Sequence, residues 1–545
     1  MTMFVLLGGG GHAAVVREIA ILNGVKLQGY YDHRRTTLDL PWLGQLPLDS
    51  LPSDIEYVCC VGDNKTRKRI VEAYPATTWA TLIHPRAIVA TDAVIGVGSI
   101  ICAGAVVEAG SNIGSHCIIN SSVIVNHHST IENYVHIAPG SNLCGNVYVG
   151  TGSLVGAGSQ VLPGVRIGTN AVIGAGSTVL VNVGNDQTRH GVIKMKPVEW
   201  LPHKVPNYKR IEQLLEMSTS TNQYSNGGPA VRELEERLRS LLEVDNTRKS
   251  LIAVANGTLA LSALVSGLRS YHAKQLKFAT QSFTFPASVQ GSLQGSVIVD
   301  IDAGGGLDLQ LLDPTSVDGI VVTNCFGHVV DVAKYEEWCT TYQKFLLFDN
   351  AATALTRVKG INIVNYGVGC ILSLHHTKPL GFGEGGIIIV DKVYEPAIRQ
   401  IINFGYNVAK GDMIWQPEGS NYKMSDVAAA FINSYLDGFS KQYDKTIQLY
   451  REAEKLLKVR LFPNHSDDTP FTSCLPILIS HSVTLEEIQR INCKYKVNVR
   501  KYYKSLNKAS FSVAIWDRIV CFPLHRDMES DDLQIYQQII EELEC

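Results

Sequence analysis

The sequence predicts a multidomain chain in three parts: a small α/β unit, a parallel β-helix, and a larger α/β domain on a mostly parallel sheet. Three observations carry this. The chain opens "MFVLLGGGGHAAVVREIA", an apolar run, a glycine turn and a helical pattern. From Ile83 to Val179 every sixth residue is Ile, Val or Leu, seventeen positions without a break. From about residue 221, helical segments alternate with short apolar runs such as "SLIAVA", "GIVVTNCFG" and "FLLFDN".

The 545 residues are enough for three or four domains, and 45% hydrophobic with 18% charged residues describes a chain able to bury large cores. A net charge of −3 argues against general nucleic-acid binding. Twelve cysteines are scattered without a CxxC pair, so neither a metal site nor a disulfide framework is expected. The apolar start lacks a basic leader and runs into glycines, and no apolar span of eighteen residues follows. A cytoplasmic protein with reduced thiols is expected, with no membrane partner.

In the opening unit, residues 1–78, glycines at a strand-to-helix turn let a ligand approach the backbone, and a helix N-terminus favours phosphate. Gly8, Gly10 and Gly11 suit a dinucleotide or another diphosphate equally well. Asp32 and Asn64 are expected nearby, and Lys65 and Arg67 could add positive charge, although a solvated helix face explains them as well.

The second part, residues 79–200, has period six, which is neither helical nor simple strand alternation. One aliphatic residue per short strand points inward and small residues turn each corner. About three hexads close a coil, so five to six coils are expected. The stretch "VNHHSTIENYVHIAPG", residues 125–140, puts His127, His128 and His136 where the repeat elsewhere prefers small residues. Residues 1 to about 200 thereby resemble the left-handed β-helix nucleotide-sugar N-acetyltransferases of the bacillosamine and sialic-acid type, which also begin with a Rossmann-like unit. The resemblance implies that His127 is the general base, that His136 lies against acetyl-CoA, and that a backbone N–H at Gly145 meets the oxyanion. It implies further that Gly8, Gly10, Gly11, Asp32 and Asn64 bind a nucleotide sugar. The family often has an acidic residue after the base. Here that residue is His128, leaving another carboxylate such as Glu132 to orient the imidazole.

Prolines 197, 202 and 206, with a short helix expected after them, and the loop-like "STSTNQYSNGG" mark a linker over 201–220. In residues 221–545, "VANGTLALSALVSGL" reads as strand, turn and helix, with Gly257 and Thr258 at a phosphate-binding helix start. "SFTFPAS" supplies aromatics, "FLLFDNAAT" ends a buried strand at Asp349, and "SLHHTKPLGFGEGG" sets Lys378 among glycines. A phosphate cradle, an aromatic, a strand-end aspartate and a lysine, in that order, describe a site for pyridoxal 5'-phosphate.

With "NGGPAVRELEERL" and "SNYKMSDVAAA", these stretches resemble the DegT-type sugar aminotransferases of fold-type I, with a large subdomain to about residue 455 and a small one over 456–545. The resemblance implies a Schiff base at Lys378, Ser373 and Thr258 on the cofactor phosphate, and Phe285 stacked on the pyridine. It also implies Asn421 reaching across a dimer and Glu384 on the substrate side. Ala352 departs from the Gln or His common at that position. A related dehydrating branch replaces the lysine with histidine, so Lys378 favours transamination.

Together the resemblances imply a bifunctional enzyme. A nucleotide-linked 4-keto-6-deoxyhexose is aminated with glutamate as donor, then N-acetylated from acetyl-CoA, with UDP the first expectation for the nucleotide and dTDP the second. Aminotransferase dimers and β-helix trimers would close into a hexamer. A β-helix half that acylates another acceptor, or only binds a nucleotide sugar, stays open.

Overall fold

The computed structural model describes residues 3–47, 50–193, 197–407, 414–457 and 461–545. Two compact units divide between Lys196 and Pro197.

The first unit opens with a four-stranded parallel sheet in the order Lys26–Tyr31, Met3–Leu7, Glu56–Cys59, Thr78–Trp79. The helices Gly11–Leu22 and Asn64–Ala73 connect its strands. Asp63 caps the second, its carboxylate accepting from the Thr66 N–H. Two-residue strands then stack in three parallel sheets of five, seven and seven strands. Partners lie one coil apart, as with Ile113 beside Ile131 and Val125 beside Leu143. The period-six aliphatics from Ile101 to Val179 form one buried core. The left-handed corner conformation is taken by Gly or by Asn, His, Ser and Tyr; Gly98, Gly104, Gly110, His116, Ser122 and His128 all have φ between 56° and 74°. The coils run past the strict repeat, to strands Thr188–Arg189 and Val192–Ile193.

The second unit is built on a seven-stranded sheet in the order Lys249–Val254, Gly386–Asp391, Gly369–Ser373, Phe345–Asp349, Gly319–Thr323, Phe278–Gln281, Val297–Val299. Gly386–Asp391 runs antiparallel to both neighbours, and the other pairings are parallel. Separate apolar clusters cover the sheet's two faces, which is why its strands read as continuous apolar runs. A smaller layer pairs Cys474–Leu478 with Ile519–Pro523 and packs them on the helices Phe439–Leu457, Leu485–Tyr495 and Ser530–Glu544.

The junction differs from expectation. Most of the segment 201–220 expected as a linker lies in a helix, Tyr208–Thr221, capped by Asn207 and burying Ile211, Leu214 and Ser218 in the second unit. Its Ser/Thr run reads as loop, yet Thr219, Ser220 and Thr221 turn their hydroxyls back onto the helix's own carbonyls. Residues 197–200, expected with the β-helix, belong to the second unit, where Val198 pairs with Val497 and Trp200 enters an apolar cluster. No helix among the described residues is long and apolar enough to cross a membrane.

Candidate active sites

In the second unit, the sheet brings sequence-distant residues to one cavity of about 530 Å³. It is lined by Gly257, Thr258, Phe285, Asp349, Ser373, Lys378 and Glu384, all expected, together with Trp200, Tyr502 and Tyr503, which were not. Asn256 caps the helix Gly257–His272 by accepting from the Leu259 N–H, turning the free amides of the first turn toward the cavity. A Cβ on Gly257 would sit 2.9 Å from Ser373 Cβ, and one on Gly386 2.3 Å from the Asn256 carbonyl. Both glycines are required by that approach.

Asp349 ends its strand with the carboxylate buried. Oδ1 accepts from the Ala351 N–H at 3.0 Å and Oδ2 from the Ser288 hydroxyl at 3.5 Å. Burial pushes this carboxyl above the usual carboxylate range, while the Ala351 N–H and the Lys378 charge oppose the rise. Burial pulls the Lys378 ammonium down, and Asp349 opposes that. The Lys378 turn is closed by Lys378 N–H to the His375 carbonyl at 2.8 Å and Gly381 N–H to the Lys378 carbonyl at 3.0 Å. Hydroxyls and helix amides at one point, a carboxylate at a second and an amine at a third suit a ligand carrying a phosphate, a ring nitrogen and an aldehyde.

Phe285 lines the cavity but is 54% exposed, leaving one side of its ring open. Glu384 lies 3.5 Å from His375 Nε2. Asn421 is not part of this cavity: it forms a bridge with Asn403 and is exposed. Trp200 precedes and Tyr502–Tyr503 follow the motif region by long stretches of chain, and only the tertiary fold brings them to it.

In the first unit, the His127 imidazole covers Gly145 of the next coil, where a Cβ would lie 2.4 Å from its Cε1. His127 is exposed, and among the described residues the Gly145 N–H donates to no acceptor. Glu132, named above as an orienting carboxylate, is engaged elsewhere: it accepts from Tyr148 and from the hydroxyl and N–H of Thr151, which hold it below the usual range. The carboxylate that reaches the His127 backbone is Glu108, accepting its N–H at 3.3 Å.

His136 lies in a different sheet from the strand preceding His127, and it turns toward the α/β unit. The Asn120 amide meets His136 Nε2 at 3.1 Å, and His12 and Arg67 are close enough to act on it electrostatically. Burial first, then Arg67, pulls His12, His116 and His136 down to about 4. Arg67 itself is 1% exposed, and its donors go to the carbonyls of Val61, Gly62, His116 and Tyr134 and to the Asn64 side chain. It is committed to protein carbonyls rather than free for an anion. Asn64 is committed likewise, its amide donating to the Gly152 and Ser153 carbonyls. Both residues fasten the helix Asn64–Ala73 to the coils.

The glycine turn stays open. A Cβ on Gly10 or Gly11 would meet no atom within 4 Å, Gly8 has φ 104°, and Asp32 Oδ2 accepts from the Gly9 N–H at 2.7 Å. Gly8, Gly10, Gly11 and Asp32 therefore lie together at one turn, next to His12 in sequence.

The family model described as the DegT/DnrJ/EryC1/StrS aminotransferase family matches residues 207–543. Models of the PglD N-terminal domain and of bacterial transferase hexapeptide repeats match residues 4–74 and 146–180. A dTDP-4-amino-4,6-dideoxy-D-glucose transaminase of Shigella dysenteriae is 24% identical over 376 residues, 64% of this chain and 99% of that one. A UDP-N-acetylbacillosamine N-acetyltransferase of Bacillus subtilis (strain 168) is 36% identical over 103 residues, 17% of this chain and 48% of that one. The solved structure of DesI in the presence of its TDP-sugar product is 22% identical, covers 64% of this chain and 93% of its own, and superposes with a TM-score of 0.55, which shows a shared fold.

Proposed function

The chain belongs to the DegT/DnrJ/EryC1/StrS aminotransferase family, and from that premise we propose a bifunctional enzyme that aminates a nucleotide-linked 4-keto-6-deoxyhexose and then N-acetylates the product. The observation that carries the reading is the single cavity holding Lys378, Asp349, Thr258 and Ser373, in a chain that also sets His127 over Gly145 on a β-helix.

The first half-site suits pyridoxal 5'-phosphate. Helix amides at Gly257 and the hydroxyls of Thr258 and Ser373 would hold its phosphate, Asp349 its ring nitrogen, Phe285 its ring and Lys378 its aldehyde carbon. When bound, this group supplies a carbonyl that accepts an amino group and a ring that withdraws electrons. The protein's part is proton movement and exclusion of water. Lys378, whose ammonium burial pulls down while Asp349 opposes the shift, is the group placed to take a proton at the substrate carbon and return it. Glu384 borders the substrate side. Glutamate is the donor that fits the family, leaving as its 2-oxo acid.

In the other half, His127 takes a proton from the sugar amine as it attacks the acetyl thioester of acetyl-CoA; the carbon–sulfur bond then breaks and the proton passes to the departing CoA thiolate. The free N–H of Gly145 meets the oxygen that becomes negative. His136, which the resemblance sets against acetyl-CoA, stands beside His12 and so borders the glycine turn instead. The open turn at Gly8, Gly10 and Gly11 holds the sugar's diphosphate, with Asp32 fixing that turn through the Gly9 N–H; Asn64 lies outside it, its amide on the Gly152 and Ser153 carbonyls.

The two relatives carry dTDP and UDP in their names; UDP remains the first choice and dTDP the second. Asn421, exposed on one protomer, is free to complete a partner's site in an aminotransferase dimer, and trimeric β-helices would close the assembly into a hexamer. Twelve cysteines with free thiols suit the cytoplasm. The test is a mass spectrum of products made from a panel of nucleotide-linked keto sugars with glutamate and pyridoxal phosphate, with and without acetyl-CoA. The reading expects an amino sugar first and its acetamide second. Failure of every keto sugar to gain nitrogen would overturn it.

A further inference from the structure

The turn that carries Lys378 is gripped by a second lysine, 174 residues earlier in the chain and within the same unit. Lys204 is 9% exposed, and its Nζ donates to the Lys378 carbonyl at 2.9 Å and to the Gly381 carbonyl at 2.6 Å. The same ammonium lies 4.7 Å from the centre of the Tyr435 ring, whose hydroxyl reaches the Pro379 carbonyl at 3.4 Å. Three carbonyls of one short turn are thus held by two side chains. The turn is also pressed against its own chain, since a Cβ on Gly381 would lie 2.1 Å from the His375 carbonyl.

A buried ammonium without a counter-charge is expensive. Among the described residues Lys204 makes no ion pair, and the nearest influential charge is the like-charged Arg526. Filling space would need only a leucine or methionine. The segment that delivers the lysine is fastened along its length. Val198 bonds to Lys496 and Asn498, the Glu199 carbonyl meets the His525 ring, and His203 bonds to Asp527 and Arg526. Between these anchors Trp200 lines the cavity, with the Arg500 guanidinium 4.7 Å from its ring centre. This strap, residues 197–206, lies upstream of the stretch matched by the aminotransferase family model.

We propose that Lys204 is a positioning residue for the aminotransferase reaction: by clamping the Lys378 and Gly381 carbonyls it fixes the backbone from which the Lys378 amine works. Displacements of an ångström at a reacting group cost up to about 100-fold in rate. The proposal rests on the reading that Lys378 carries pyridoxal phosphate.

The test uses the full chain loaded with pyridoxal phosphate, as wild type, Lys204→Met, Lys204→Gln and Lys204→Arg. It reads the visible absorbance band and its pH midpoint, the rate and KM of the half-reaction with glutamate, and acetyl transfer to a 4-amino nucleotide sugar as a control on folding. Lys204→Met should lower the half-reaction rate by about 10- to 100-fold and move the pH midpoint of the band, with KM and acetyl transfer little changed. Lys204→Arg, which keeps two donors, should recover much of the rate. Lys204→Gln, which keeps an uncharged amide donor on a shorter chain, should fall between, and supplies the same readouts if the methionine variant does not fold. Variants with wild-type rate and an unmoved midpoint would overturn the clamp. A wild-type protein without any visible band would instead overturn the cofactor reading beneath it.

Discussion

The imidazole of His127 occupies the space that a side chain on Gly145 would need: a Cβ there would come within 2.4 Å of Cε1 and 2.6 Å of Nε2. A histidine on one coil thus dictates a glycine on the next. Gly145→Ala should displace the ring and lower acetyl transfer by about 100-fold, leaving transamination intact. His127→Gln should lower acetyl transfer by about 10²- to 10⁴-fold. Separate assays of the two half-activities on each variant check this, and unchanged acetyl transfer in both would remove His127 from the reaction.

The complementary pair lies in the other unit. Lys378→Ala should abolish both amination and the visible band of the bound cofactor, with acetyl transfer to a supplied amino sugar unaffected. Asp349→Asn removes the charge that would face the ring nitrogen and should lower the half-reaction rate by about 100-fold or more. Absorbance spectra and single-turnover rates with glutamate decide both.

Arg67 is a structural residue, so its loss should show in stability before activity. Arg67→Met strands the carbonyls of Val61, Gly62, His116 and Tyr134 that now share its donors. The expected cost is about 3–5 kcal/mol, read as an earlier unfolding transition for the first unit in denaturant. A transition that does not move would mean water replaces the guanidinium without loss.

Acid should weaken the first unit through its buried histidines. His116 is held near 4, below its usual 6.5, by burial and then by Arg67, and its Nδ1 has no partner. Above about 6.5 both folded and unfolded chains carry it neutral, and its contribution is complete. As pH falls toward about 4, the unfolded chain binds a proton that the folded chain excludes, so stability drops by roughly 3 kcal/mol for this group. Below about 4 the loss levels off. Denaturant unfolding between pH 7 and 4 measures the slope, and His116→Gln should flatten it; an equal slope in the variant would assign it to other groups.

Much of this was readable before folding. The period of six was legible because each coil turns one aliphatic residue into a single shared core. Lys378 and Asp349 stood out because a glycine-flanked lysine and a strand-end carboxylate have few other reasons to occur together. Only the last turn of the helix Tyr208–Thr221 was hidden, by its Ser/Thr run, whose hydroxyls satisfy themselves on helix carbonyls. Arg67 read as a surface charge in a basic run, and nothing local says that its guanidinium turns inward.

The linear order of residues by itself determined the β-helix, the sheet-based second unit and the chemical types gathered at each site, because periodicity and glycine placement are local properties of the chain. Tertiary structure alone decided which polar groups face a ligand and which are consumed by the protein. Arg67 and Asn64 were drawn onto backbone carbonyls, Trp200 and Tyr502–Tyr503 were carried to the cavity, and Lys204 was set on the Lys378 turn. Burial decides each of these, since a buried donor must find an acceptor and only the packed fold says which one is near.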